Sequence, residues 1–377
     1  MMKQIFTILL AGFISTTLFA QGVTLPTSGG NQKAEVSQWI GPVKITINYS
    51  SPKVHAPDGS DRKGHIWGEL VPYGLNNLGF GTSPAAPWRA GANENTTITF
   101  SHDVKFGGKD VKSGTYGLHL IVEKDSPWTY ILSNNSTSWG SFFYDAKEDA
   151  ARAQSTPVDS EYTEYLTYGF EDRQPNSTVA YLQWENKKAP ITIEIPNINE
   201  VYVATLRNEL RGSQGFTFQN YVAAANFCAT NKINLEEALV WAEAAINGPF
   251  VGQENFFTLQ TKANVLTAMG KDGEAESVMT QAINHATTNV AQIHGYGRSL
   301  IAAGKNEKAL EVFKTNQKLH PEDKFTPNVG LARGYTAVGD KKNAVKHWEM
   351  AIKNIPENQK PFLNVYQDEL KKLKEGK

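Results

Sequence analysis

The C-terminal half of the chain takes its fold from residues 327–356, which read PNVGLARGYTAVGDKKNAVKHWEMAIKNIP. Apolar side chains recur every three or four positions on both sides of Gly339, so this stretch predicts two amphipathic helices joined at that glycine. Ala344 follows the glycine by five residues and begins the apolar face of the second helix. Pro356 ends the unit, because proline cannot continue a helix.

The same unit recurs upstream. Glycines at positions 270, 304 and 339 are spaced by 34 and 35 residues, and an alanine follows each of them by five positions. Helix–turn–helix repeats of this length are typical of tetratricopeptide-type arrays, in which stacked units bury a continuous core. We therefore expect residues 200–377 to form an all-α domain that docks a protein or peptide partner. The predicted repeats are 220–246, 255–286, 290–319 and 327–355, and a polar capping helix is predicted over 358–374.

The N-terminal half has a two-residue period instead. Seven short runs between positions 43 and 195 alternate apolar with polar side chains, which predicts strands with one buried face. The alternation stops at Ile195-Pro196, so residues 35–196 are predicted to form an antiparallel β-sandwich or jelly-roll-like domain. Phe106-Gly107-Gly108-Lys109 predicts a tight hairpin. Alanines at helical spacing predict a short helix within 145–154. The overall fold class is thus α+β in two separate domains.

The first 20 residues have the pattern of a secretory signal peptide. Lys3 precedes the apolar run Ile5–Phe13, and Ala20 precedes the expected cleavage point. That run is too short to span a bilayer, and no other stretch is long and apolar enough. We therefore expect an exported protein, periplasmic or extracellular, without an integral membrane segment after cleavage. Cys228 is the only cysteine, so we expect no internal disulfide and interpret Cys228 as a small buried hydrophobic side chain.

The charge of the chain argues against a nucleic-acid partner. It carries 37 Lys and Arg against 38 Asp and Glu, a formal net charge of −1, and no basic block. No metal-ligand spacing and no Gly-x-Ser-x-Gly motif is present, so we expect no metal, no cofactor and no serine-hydrolase elbow. Histidines from separate strands could still converge in the fold; those of the β half are His55, His65, His102 and His119.

Two segments are the richest in chemistry. Residues 65–74 read HIWGELVPYG, and residues 88–97 read WRAGANENTT. They resemble the defining stretch of a bacterial family known as domain of unknown function 2911. The resemblance covers about residues 53–195, and it implies an exported β domain but no known reaction. It continues through SGTYGLH (113–119), WTYI (128–131), WGSFFYD (139–145) and TEYLTY (163–168).

One departure from the family concerns Leu75 to Pro87. In many members the tryptophan lies much closer to the Pro-Tyr-Gly turn, whereas here these residues intervene. We therefore expect the approach to any site at this place to differ from that in the family.

The candidate ligand-binding residues are Trp88, Arg89, Asn93, Glu94 and Trp139. Arginine offers a planar fork for a carboxylate, a phosphate or sugar hydroxyls, and tryptophan offers a flat face. Together they could bind a glycan or a small anion. The alternative interpretation is structural: a buried Arg–Glu pair, with Asn93 at a turn, would hold the loop before the next strand.

Two functions remain open at this point. The first is an exported interaction protein, whose repeats dock a protein or peptide and whose β domain binds a small ligand or glycan. The second is an exported hydrolase that acts on envelope or exogenous glycans with a pair of carboxylates. Its candidate residues are Glu69, Glu94 and Asp145. No catalytic residue is otherwise assigned.

Overall fold

The structure is a computed structural model that describes residues 30–375. The chain divides between Ile198 and Asn199 into two compact units, called here the β unit and the helical unit. Both parts of the predicted fold class are confirmed: antiparallel sheets come first and paired helices follow. The predicted signal peptide, residues 1–20, lies outside the described residues. Within the described range, no helix is long and apolar enough to cross a membrane.

The β unit consists of two antiparallel sheets. One has six strands in the order β1-β2-β3-β6-β7-β8, and the other has four in the order β5-β4-β10-β9. The strands are β1 (Gln32–Ile40), β2 (Val43–Ser51), β3 (Thr97–Phe100), β4 (Val104–Phe106), β5 (Lys109–Val111), β6 (Gly114–Ile121), β7 (Trp128–Ser133), β8 (Asp149–Ser155), β9 (Val158–Glu171) and β10 (Ser177–Glu194).

The core lies between the two sheets. Alternate residues of β2 are buried, and Ile45 is 0 % exposed, as the two-residue period predicts. Phe106 of the smaller sheet packs edge-on against Tyr130 of the larger one, with ring centroids 6.0 Å apart. The Tyr130 hydroxyl donates a 2.8 Å hydrogen bond to the Ala189 carbonyl of β10. These contacts join the sheets face to face.

The hairpin at Phe106–Lys109 is confirmed, since β4 and β5 pair across it. The helix predicted within 145–154 is wrong. Only Ala146–Glu148 form a single 3₁₀ turn, and β8 begins directly afterwards. Without β8, one edge of β7 would be unpaired. The segment 149–155 forms hydrogen bonds for its own backbone N–H and C=O groups by pairing along that edge as β8. Alanine fits either structure, so its helical spacing here was misleading. The last two predicted strands, at 180–184 and 191–195, are parts of one long strand, β10, with an irregularity at Glu185.

The helical unit contains four helix pairs between α1 and the last helix. The helices are α1 (Ile198–Glu209), α2 (Phe218–Asn231), α3 (Leu235–Asn247), α4 (Phe256–Ala268), α5 (Asp272–Asn284), α6 (Val290–Ala302), α7 (Asn306–Leu319), α8 (Thr326–Ala337), α9 (Lys341–Lys353) and α10 (Leu363–Glu375). The predicted pairing of helices is therefore present. Residues 357–362 form a 3₁₀ segment that contains Pro361, so the final helix begins at Leu363 and not at 358 as predicted.

The three repeat glycines end the first helix of their pairs in the left-handed conformation, with φ between 72° and 80°. At Gly270 the backbone N–H groups of Gly270 and Lys271 bond the Thr267 and Leu266 carbonyls, at 3.0 and 2.9 Å. This is a Schellman closure, which requires a left-handed residue and therefore favours glycine. In the first and least regular pair Lys232 occupies the same position with φ 54°.

Candidate functional site

The candidate site is built on the loop that joins Trp88 to β3. Trp88 exchanges two backbone hydrogen bonds with Leu120 of β6, at 3.0 and 2.8 Å. Ala90 and Asn93 both have positive φ values, 48° and 58°. The fully buried Ala90 is held in place because its carbonyl accepts a 2.8 Å hydrogen bond from the Tyr168 hydroxyl. Positive φ in residues other than glycine is uncommon and clusters at functional sites.

A cleft of about 520 Å³ opens beside this loop. Trp88, Arg89, Asn93 and Trp139 all line it, so the structure brings four of the five predicted residues together. Glu94 is not among the lining residues. The volume lies in the range of small-molecule sites.

Arg89 is half-buried and makes no ion pair with a carboxylate in the described part of the chain. Its Nη1 donates one hydrogen bond, of 2.5 Å, to the Asn93 carbonyl. The guanidinium lies over the Phe142 ring, 5.3 Å from its centroid. Burial lowers the pKa of Arg89, because desolvation disfavours the charged form. A guanidinium has five N–H donors, and a single hydrogen bond from Arg89 is formed within the described residues.

The Arg–Glu pair considered above is not formed. Glu94 pairs instead with Lys33 of β1, at 2.8 Å, and accepts a 3.1 Å hydrogen bond from the Ser50 hydroxyl. The Lys33 ammonium is the main reason that the pKa of Glu94 lies below its usual value. Glu94 therefore ties the loop to β1, and Arg89 keeps its charge uncompensated within residues 30–375.

The cleft is electrostatically one-sided. Its lining contains Lys53, Arg62 and Arg89 but no Asp or Glu among the residues described. Arg62 is occupied, since its Nε and Nη2 donate to the Val54 and Lys53 carbonyls at 2.9 and 2.7 Å. The arrangement therefore suits a ligand that accepts hydrogen bonds or carries negative charge.

Sequence reasoning did not select Ser141 at this site, and it considered His119 only among histidines that could converge on a metal. Ser141 lines the cleft, and its Oγ lies 2.9 Å from Nδ1 of the buried His119. His119 alternates with Leu118 and Leu120 along β6, yet all three are buried. The signal in the sequence was a histidine within an otherwise apolar strand. Such a strand is buried on both faces, so a loop must cover its outer face. Both residues also lie in segments that carry the family resemblance.

Leu75 to Pro87, the departure from the family, form one wall of the cleft. Asn76 and Ala86 pair in an antiparallel bridge. The backbone N–H groups of Thr82 and Ser83 both donate to the Phe142 carbonyl at 3.0 Å, which fastens the tip of this segment. This segment contributes four lining residues to the cleft, which are Asn76, Leu78, Ala86 and Pro87.

We predict that the β unit loses stability in mild acid because of His119. Burial, assisted by the nearby Arg89 charge, lowers the pKa of His119 to about 4, from 6.5 for a free histidine. Between these two pH values only the unfolded chain takes up the proton, so stability falls as the pH decreases from 6.5 towards 4. The loss is up to about 3 kcal/mol, from the size of the shift.

Urea unfolding of the wild type and His119→Gln at pH 7 and pH 4.5 measures this effect. The variant should lose less stability between the two pH values than the wild type. His294 of the helical unit, whose pKa burial also lowers to about 4, is present in both proteins and cancels. Equal losses in the two proteins would contradict the prediction.

The other candidates for chemistry lie apart from the cleft. Glu69 binds His65 at 2.9 Å with both side chains 64 % exposed, and Asp145 caps the 3₁₀ turn at the Lys147 N–H. No cluster of three or more His, Cys, Asp or Glu that could hold a metal occurs between residues 30 and 375. Cys228 is buried in α2, and burial raises its pKa to about 11, which disfavours the reactive thiolate.

In the comparison with known proteins, a family model matches the β unit. Residues 31–193 match the model of a family described as a protein of unknown function, DUF2911, so the resemblance found in the sequence is confirmed. No curated protein matches the chain.

Solved structures resemble the helical part. A tetratricopeptide repeat protein from Parabacteroides merdae is 14 % identical over 46 % of this chain and 66 % of its own, with a TM-score of 0.31. MamA from Desulfovibrio magneticus is 18 % identical over 44 % of this chain and 91 % of its own, with a TM-score of 0.26. These scores carry no argument about function, and the repeat fold rests on the helix pairs themselves.

Proposed function

We propose that the chain is an exported interaction protein with two binding surfaces. The helical unit docks a protein or peptide partner, because stacked helix pairs present an extended surface for such partners. The β unit binds a small ligand, a glycan or a small anion, in the cleft beside Arg89.

The observation that carries the ligand site is Arg89 itself. Withdrawing a guanidinium from water costs free energy unless a carboxylate or another acceptor compensates it. In the described residues the only hydrogen-bond acceptor of Arg89 is the Asn93 carbonyl. A ligand that supplies acceptors would offset this cost. The hydrolase with paired carboxylates gains no support, since none of the cleft-lining residues among those described is an Asp or Glu.

The cleft is tested with full-length protein by thermal shift against a panel of glycan fragments and small organic anions. Trp139→Ala removes a lining side chain that is 52 % exposed, so we expect weaker ligand binding without a large loss of stability. The matched control is Trp39→Ala, which removes a tryptophan that is 57 % exposed on β1 and outside the cleft lining. If both variants bind like the wild type, or if no member of the panel binds, the cleft is not the ligand site.

The helical unit is tested by affinity capture from a cell-envelope extract with the full chain and with a chain that ends at residue 198. A specific partner should be retained only by the full chain. Intact-mass analysis of the protein recovered from the envelope tests export, because signal cleavage would leave Gln21 as the first residue. Uncut protein confined to the cytoplasm would contradict export.

A further inference from the structure

We infer that the cleft of the β unit selects a carboxylate carried by a six-membered ring, with the carboxylate against Arg89 and one face of the ring against the indoles that line the cleft. This inference rests on the proposed ligand site and narrows its chemistry. Two kinds of compound share that chemistry: uronic acids, in which the ring is a sugar, and aromatic carboxylic acids.

The side chains that line the cleft indicate that its ligand is negatively charged. Lys53, Arg62 and Arg89 contribute three cationic side chains, and no Asp or Glu among the described residues balances them in the cleft. The nearest candidate carboxylate in sequence, Glu94, is already paired with Lys33. A neutral ligand would leave the Arg89 charge half-buried and uncompensated, whereas an anion would pair with it.

The preference for a carboxylate comes from the way in which Arg89 is held. Its Nη1 is anchored on the Asn93 carbonyl, and its Cζ lies over the Phe142 ring, 5.3 Å from the centroid. The guanidinium also lies directly against the backbone of Gly140, where an added Cβ would stand 2.6 Å from Cζ and Nη1 of Arg89. A guanidinium fixed on three sides is pre-organised for two parallel hydrogen bonds, the geometry that a planar carboxylate matches.

The preference for a ring comes from the tryptophans. Trp88 lines the cleft and stacks on the buried Trp184, with an interplanar angle of 19° and centroids 6.1 Å apart, so Trp184 holds the Trp88 indole in place. Trp139 adds a third indole that is half exposed. An indole face binds the apolar face of another ring by buried area and by stacking.

Intrinsic tryptophan fluorescence of the full chain provides the titration, because three tryptophans line the cleft. The probes are digalacturonate and 4-hydroxyphenylacetate, each with its neutral methyl ester, and inorganic sulfate as an anion without a ring. We expect at least one carboxylate to bind about tenfold or more tightly than its ester, the effect of one charge-assisted hydrogen bond. Sulfate should bind more weakly than that carboxylate. Which acid binds decides between a sugar and an aromatic source.

Two substitutions at Arg89 test whether this residue causes the tighter binding of the acid than of its ester. Arg89→Gln should abolish the difference between acid and ester, and Arg89→Lys should retain only part of it, because lysine keeps the charge but loses the planar fork. Arg173→Gln removes an exposed arginine that is not among the cleft residues, and it should leave the difference unchanged. The comparison of acid and ester on the wild type stands even if an Arg89 variant does not fold.

Three results would overturn the inference. Equal binding of an acid and its ester would show that the cleft does not recognise the charge. Binding of sulfate as tight as that of the acid would show that the cleft does not recognise the ring. In both cases the proposed ligand site itself would stand. Absence of binding by every probe would overturn the carboxylate assignment. The proposed function would then fail as well only if the broader panel, with its neutral glycans, also gave no shift.

Discussion

Replacing Ala344 with arginine is expected to unfold much of the helical unit, with a loss of at least about 3 kcal/mol in the free energy of unfolding. Ala344 begins the buried face of α9 and is 0 % exposed. Trp348 and Ala351 lie on the same face of α9. They pack against Phe325, which directly precedes α8, and against Val329 within α8. A guanidinium forced into this contact would be both too large and unpaired.

Urea unfolding followed by the far-ultraviolet circular dichroism of the helices measures this loss. The matched control is Ala302→Arg, the same substitution at an exposed position in the last turn of α6. A cation there interacts favourably with the helix C-terminus, so the control should stay close to the wild type. An Ala344→Arg protein with the wild-type midpoint would refute the assigned packing of α8 against α9.

Phe313→Ala is expected to cost about 3–5 kcal/mol, the range for removing a fully buried phenylalanine. Phe313 projects from α7 and is 0 % exposed. Three glycines surround its ring: a Cβ added at Gly297, Gly330 or Gly334 would stand 2.4, 2.5 or 3.0 Å from a ring carbon. Glycines have no side chains that could move into the space, so the cavity left by alanine would persist.

The control for this change is Phe250→Ala, because Phe250 is fully exposed in the loop between α3 and α4. It removes the same atoms from a side chain that buries little area, so its effect should lie within about 0.5 kcal/mol of the wild type. Equal midpoints for Phe313→Ala and Phe250→Ala would show that the contact between α7 and the glycines of α6 and α8 does not stabilise the unit.

The candidate site was only partly predictable from the sequence. Trp88, Arg89, Asn93 and Trp139 could be selected because they carry suitable groups within segments that resemble a family, and the cleft contains all four. Glu94 was selected on the same grounds but pairs with Lys33, which lies 61 positions earlier in the chain. No local pattern reports such a pairing. Ser141 was not selected, and His119 was not assigned to this site, because neither belongs to a recognised catalytic spacing.

The sequence by itself determined the features that depend on neighbouring residues. Strand alternation, the helix pairs and the glycine closures at 270, 304 and 339 follow from side-chain period and from the left-handed conformation that glycine tolerates. Only the tertiary structure decided that Asp149–Ser155 is a strand, since the free edge of β7 supplied partners that the segment alone does not reveal. It also decided that Arg89 has no carboxylate partner within residues 30–375. Both outcomes depend on groups distant in sequence that folding brings within hydrogen-bonding range, and period and propensity carry no information about them.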